Sequence, residues 1–307
     1  MRRRALALVA IAALALAGCS NSSPNATATL GGAASIDDIL IGNSDALAPQ
    51  ITVPDGALFT EAQGRTVWDG DGAPLVDNQP LLLDIFAESL DDGAELVNTF
   101  DGLPRPFVLA REVLGDEVYD LLIDANVGTR VVVVAPAMEA SGLGSTPKPG
   151  TQPSTRPDVV LVVDVLSARA VGTEIPQRED LPRVTVNSDT GEPTIATGED
   201  LVEPTTVQSE TLIQGAGQQV KAGSYITVNY TAQHWDGTPF SSSWTEGTAP
   251  FSTQIGTSQV IPAWNEALVD QTVGSQVLIV APAEFGYPDE GTLVFVVDIL
   301  DVWTPVE

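Results

Sequence analysis

The 307-residue sequence predicts an α+β protein built from two copies of one strand-rich unit. Three observations carry that expectation. Segments of the first half return in the second half in the same order, the returning segments are strand-like runs punctuated by turn residues, and a short amphipathic helix interrupts them.

The repeat is clearest at Val134-Ala135-Pro136-Ala137, which returns as Val280-Ala281-Pro282-Ala283, and at Val162-Val163-Asp164-Val165-Leu166, which returns as Val296-Val297-Asp298-Ile299-Leu300. Gly70 and Gly72 match Gly215 and Gly217, Phe86 matches Tyr230, and Pro106-Phe107 matches Pro250-Phe251. The spacing between copies holds nearly constant through Ala-Pro-Ala and then shortens. A Gly/Ser/Thr/Pro loop from Ser141 to Pro157, present only in the first copy, accounts for the change. Two copies of about a hundred residues each indicate a duplicated globular domain and not a solenoid.

Within a copy, Tyr225 to Tyr230 alternates with β-branched residues as a half-buried strand does, while Val277 to Val280 and Leu293 to Leu300 are buried-strand runs, punctuated by Gly, Pro and Asp-Gly pairs. Pro262 to Val269 predicts the helix, with proline in its first turn and Ala263, Trp264, Ala267 and Leu268 on one face. An antiparallel sheet folded over one helix is the α+β arrangement.

Before the first copy lies an address segment. Three arginines at positions 2 to 4 precede an apolar run from Ala5 to Ala17, closed by Leu16-Ala17-Gly18-Cys19. That is the pattern of a secretory signal, too short to remain as a spanning helix. Its last four residues resemble the bacterial lipobox. The resemblance implies cleavage after residue 18, a lipid on Cys19, and a location outside the cytoplasm, anchored to the cell membrane. An ordinary secretory signal that happens to contain this cysteine is the alternative. The expected division is therefore 1–18 signal, 19–48 flexible tether, 49–170 first copy, 171–205 acidic Pro-rich linker with room for an extended strand at Arg183 to Asn187, and 206–307 second copy.

Composition narrows the chemistry. With 41 acidic against 13 basic residues and a net charge of −28, the chain repels polyanions, so nucleic acid is excluded as a partner. One Cys and one His leave no internal disulfide framework, no thiolate zinc cluster and few routes to a histidine metal site. His234, before Asp236-Gly237, reads as a hairpin residue. Asp69-Gly70-Asp71-Gly72 has the flavour of a calcium loop but lacks the closing glutamate and following helix.

The stretches GAGQQVKAGSYITVNYTAQHWDGTPFSSS, PFSTQIGTSQVIPAWNEAL, VGSQVLIVAPAEFGY and GTLVFVVDILDV run in order from Gly215 to Val302. This segment resembles an FKBP-type peptidyl-prolyl cis-trans isomerase over essentially a whole domain. The resemblance implies two FKBP-like domains, each an antiparallel β-sheet wrapped around one short helix, the first degenerate. It implies an enzyme without cofactor or metal, acting on proline-containing exported polypeptides. Its pocket would comprise Tyr230, Phe240, Phe251, Val260, Ile261, Trp264, Tyr287 and Phe295. Trp264 would be the floor, with the Ile261 N–H and the Tyr287 hydroxyl on substrate carbonyls.

Two departures stand out. Ser241 occupies the place of the family's usual Asp, and the long loop after Tyr287 shrinks to Pro288-Asp289-Glu290-Gly291. In the first copy Phe86 and Phe107 persist. Leu96, Gly115, Val118, Ser141 and Leu161 stand for Phe240, Ile261, Trp264, Tyr287 and Phe295, which predicts a non-catalytic domain. A non-enzymatic chaperone that keeps the shape is the alternative function. A solute-binding lipoprotein would need alternating βα units, and the strand-rich repeat speaks against it.

Overall fold

The structure is a computed structural model describing residues 33–42, 48–143 and 157–305. The expected signal, Cys19 and most of the tether lie outside the described residues. Antiparallel sheet dominates and helices are few and short.

The apolar runs decide the architecture. A strand with one solvated face alternates, whereas a continuous run needs cover on both sides. Each copy supplies an inner cover, its helix, and an outer cover, the segment that precedes it.

For the first copy the outer cover starts at Ser35, whose hydroxyl accepts from the Asp37 N–H while Asp38 accepts from the Ser35 N–H, closing a one-turn 3-10 helix over Ile36–Asp38. Strands β1 (Leu40–Ile41) and β2 (Ile51–Thr52) form a small hairpin after it. Ile36, Ile39 and Phe59 pack on Val132, Val134, Val160 and Val162. Residues 33–42 are thus part of the globule and not tether: the outer face of the sheet is apolar and has to be covered. The sheet itself comprises β3 (Gln63–Trp68), β4 (Pro80–Ser89), β5 (Glu95–Asn98), β6 (Arg105–Val108), β7 (Arg130–Ala135) and β8 (Val159–Ser167), ordered β3-β7-β8-β4-β5 with β6 also on β4. Its inner face holds α1 (Arg111–Leu114) and α2 (Asp116–Leu122), and α3 (Ala137–Ala140) follows β7.

The second copy repeats this order. Strands β9 (Gly172–Glu174), β10 (Arg183–Val186) and β11 (Pro193–Ala196) come first, in the segment read as a linker. Then come β12 (Gln208–Gly215), β13 (Tyr225–His234), β14 (Pro239–Ser242), β15 (Phe251–Gln254), helix α4 (Pro262–Leu268), β16 (Gln276–Ala281) and β17 (Leu293–Trp303). The sheet runs β14-β13-β17-β16-β12-β9 with β15 on β13, which is the first sheet's order plus one edge strand.

Residues 171–205 are therefore not a solvated spacer. β9 pairs with β12, and the β10–β11 hairpin lays Leu181, Val184 and Ile195 over Leu278, Val280, Val294 and Val296. Val171 N–H donates to Gly274 O, Ala170 N–H to Asp298 Oδ2, and the Asn229 amide to Ala168 O. These bonds sew the end of the first copy onto the second sheet.

The matching glycines have a packing role. A Cβ on Gly70 would stand 2.2 Å from Val127 O, and one on Gly215 at 2.2 Å from Val273 O. Close backbone approach, not cation binding, explains the Gly-rich segment at 69–72.

Strand register corrects two of the paired residues. Asp84 faces Asp164 as Asn229 faces Asp298, so Ile85, and not Phe86, is the counterpart of Tyr230. A one-residue slip reverses the face, and Phe86 points away from the inner core that contains Ile85. On β6, Arg105 opposes Leu83 as Phe251 opposes Val228, so Phe107 corresponds to Thr253.

Candidate active site

The inner face of the second sheet opens where α4 crosses it. Ile261 caps the helix in extended conformation, Pro262 starts it, and Trp264 is carried one turn in, buried to 4% exposure. Three rings meet the indole edge to face: Tyr230 at 5.6 Å, Phe295 at 5.7 Å and Phe251 at 6.2 Å between centroids. Each contact uses the ring quadrupole as well as apolar area. Because β13, β15, α4 and β17 each contribute one ring, the floor is fixed by four elements at once.

Above it lies a cavity of about 240 Å³. All eight residues expected in the pocket line it, together with Ser241 and Gln259. Gln259 escaped sequence reasoning, although its position just before Val260-Ile261 was the available signal. Phe240, Phe251 and Tyr287 form the rim at 36%, 42% and 46% exposure. Phe240 and Tyr287 tilt together at 5.7 Å, and His234 meets Phe240 edge to face at 5.5 Å.

Polar groups in this cavity are few. Tyr230 Oη and Ser241 Oγ lie 2.8 Å apart, so the serine keeps a hydrogen bond to the tyrosine without bringing a charge. Trp264 Nε1 is buried with no partner among the described residues. The four-residue loop is a tight turn: Glu290 N–H donates to Tyr287 O, and the Glu290 carbonyl lies 3.0 Å from His234 Nδ1. It pins the rim to the end of β13 and leaves the cavity mouth open.

The same place in the first copy is closed. Gly115, Val118 and Leu161 stand at the positions of Ile261, Trp264 and Phe295, and the residual void is about 20 Å³. Leu143, from the turn after α3, is 1% exposed and fills the space against Val118 and Leu161. Arg105 donates to the Leu143 carbonyl at 3.4 Å.

The copies also differ beneath the sheet. Arg130 is fully buried, paired in two-fork fashion with Asp164 and stacked over Trp68 at 4.2 Å. At the matching positions stand Gln276 and Asp298. Asp298 accepts from the Gln276 amide and from Ala170 N–H, and burial pushes its carboxyl up to about 6.

A family model, FKBP-type peptidyl-prolyl cis-trans isomerase, matches residues 216–300. An FK506-binding protein 1A of Aspergillus fumigatus is 33% identical over 91 residues, covering 27% of this chain and 80% of that protein. An FK506-binding protein of Streptomyces anulatus is 32% identical over 100 residues, covering 29% of this chain and 80% of its own. The solved structure of the three FKBP domains of wheat FKBP73 aligns with 80% of this chain and 95% of its own at 17% identity and a TM-score of 0.31, a likeness too loose to bear on how the copies are arranged. Through its second copy, the chain belongs to the FKBP-type peptidyl-prolyl cis-trans isomerase family.

Proposed function

We propose that the second copy is a working peptidyl-prolyl cis-trans isomerase and that the first is a degenerate, non-catalytic FKBP-like domain. The observation that carries this reading is the cavity walled by aromatic rings above Trp264.

Rotation about an X-Pro bond faces a barrier of about 18–20 kcal/mol. The twisted transition state loses amide resonance, so its carbonyl is less polar than that of the planar ground state. A dry, ring-lined cavity therefore favours the twisted form over the planar one, which is differential binding. A millionfold acceleration needs about 8 kcal/mol of such preference. In this reading the prolyl ring rests on Trp264, and the Ile261 N–H and Tyr287 hydroxyl hold the flanking carbonyls. Ser241 keeps Tyr230 oriented but contributes no carboxylate field.

Ser241 and the short 288–291 turn favour a second reading, a peptide-binding chaperone with little turnover. A protease-coupled assay of the full chain on a proline tetrapeptide separates the two. Turnover above buffer that is lost in Trp264→Ala and reduced in Tyr287→Phe supports the enzyme; binding of the peptide without acceleration supports the chaperone.

We further propose a lipid-anchored, extracytoplasmic protein that assists the folding of exported polypeptides. The support is the signal pattern and Cys19. Fatty-acid labelling of the chain in a bacterial host, abolished by Cys19→Ala, tests it.

A further inference from the structure

Beyond the prolyl pocket, the rim continues along a second track. From Tyr287 the ring contacts pass to Phe240 and on to His234, whose neighbour Trp235 is shared by two adjoining grooves of about 410 and 490 Å³. Glu203, Asp236 and Glu290 line the nearer groove, while Asp200 and the 85% exposed Val202 lie at the farther one beside Trp235. The outer cover forms one wall of this track and the β13–β14 hairpin the other.

We propose that this track is an extended subsite for the polypeptide whose proline occupies the pocket, and that it selects segments bearing lysine or arginine a few residues from that proline. The inference rests on the isomerase-pocket reading. Its argument is charge complementarity together with continuity. The apolar elements, Trp235 and Val202, suit the stem of a long basic side chain, and an indole face attracts its cationic head. The carboxylates around them supply the opposite charge. Asp236 is held below the usual carboxylate range, chiefly by the Thr238 backbone N–H, so it is ionised at neutral pH. Two successive ring contacts of 5.7 and 5.5 Å separate Tyr287 from His234. An extended chain advances roughly 3.3–3.6 Å per residue, which places the basic residue about three positions from proline.

The test uses proline peptides of one core sequence with three lysines, three serines or three glutamates placed on either side. Isomerisation is followed by NMR exchange and binding by fluorescence anisotropy, with the full chain. At low salt the lysine peptide is expected to exceed the glutamate peptide about tenfold in kcat/KM and in affinity, on one side of proline only. The combined variant Glu203→Gln, Asp236→Asn, Glu290→Gln should reduce that ratio to about twofold. A control replacing Asp55, Glu61 and Asp91 by their amides removes the same charge elsewhere and should leave the ratio unchanged. Equal behaviour of the lysine and glutamate peptides overturns the proposal. So does an equal fall in both variants, which would assign the preference to the overall charge. Lysine selectivity in binding with no turnover of any peptide would keep the subsite and remove the isomerase reading.

Discussion

The two copies share one strand order and differ in what sits over the sheet. In the second, a tryptophan lies under open space bounded by rings; in the first, a valine and a leucine at the matching positions are met by Leu143 from the chain's own inserted turn. A groove and a filled core are thus alternative outcomes of one backbone. Large rings on four elements prop the space open, whereas aliphatic residues leave a gap that a neighbouring side chain closes, as close packing demands.

The comparison breaks most directly at Trp264. Trp264→Val gives the second copy the first copy's residue, and kcat/KM should fall a hundredfold or more, equivalent to about 2.7 kcal/mol of transition-state binding. Circular dichroism alongside the assay shows whether the fold persists, and an active, folded variant would detach the function from the floor. The buried polar pairs come next. Arg130→Met breaks the buried ion pair with Asp164 and should cost about 4 kcal/mol in urea unfolding. Gln276→Met removes one hydrogen bond to Asp298 and should cost about 1–2 kcal/mol. Equal costs would mean that the two copies use this site alike.

Asp298 sharpens the contrast through pH. Its folded value of about 6 lies above the ordinary 3.8, so the folded state holds the proton more tightly. The resulting stabilisation is complete below about pH 4 and is lost as pH rises through about 6, on the order of 3 kcal/mol in all. Asp298→Asn should remove that slope from the stability-against-pH curve; an unchanged slope would place the titration elsewhere. The plug of the first copy gives the last contrast. Leu143→Ala should destabilise the chain by about 2 kcal/mol, and the first copy should stay inactive. Activity gained there would show that only the plug silences it.

Much of this was legible in the residues. The repeat, the helix at Pro262 to Leu268 and the eight pocket residues could be read because each leaves a local mark: a recurring run, a proline followed by an apolar face, a ring or aliphatic residue at a family position. Pairing Phe86 with Tyr230 failed because identity of residue type was followed where strand register decides. The structured parts of the linker and of the tether's end are masked by composition, which is rich in Pro, Glu, Thr and Asp in the one and in Ser, Asn, Ala and Gly in the other. What argues against a spacer lies elsewhere, in the Val- and Leu-rich strands β7, β8, β16 and β17, whose two faces are both apolar and require cover.

By itself the sequence determined the duplication, the strand-and-helix content and the residues available to a ring-lined pocket, since these follow from periodicity and side-chain type. Only the tertiary structure decided that the preceding segments become the outer covers, that Leu143 closes one cleft, and that Trp235 and distant carboxylates meet along one track. Those outcomes depend on which surfaces are left apolar after the sheets form and on which long-range contacts can satisfy them, and no local window of sequence contains that information.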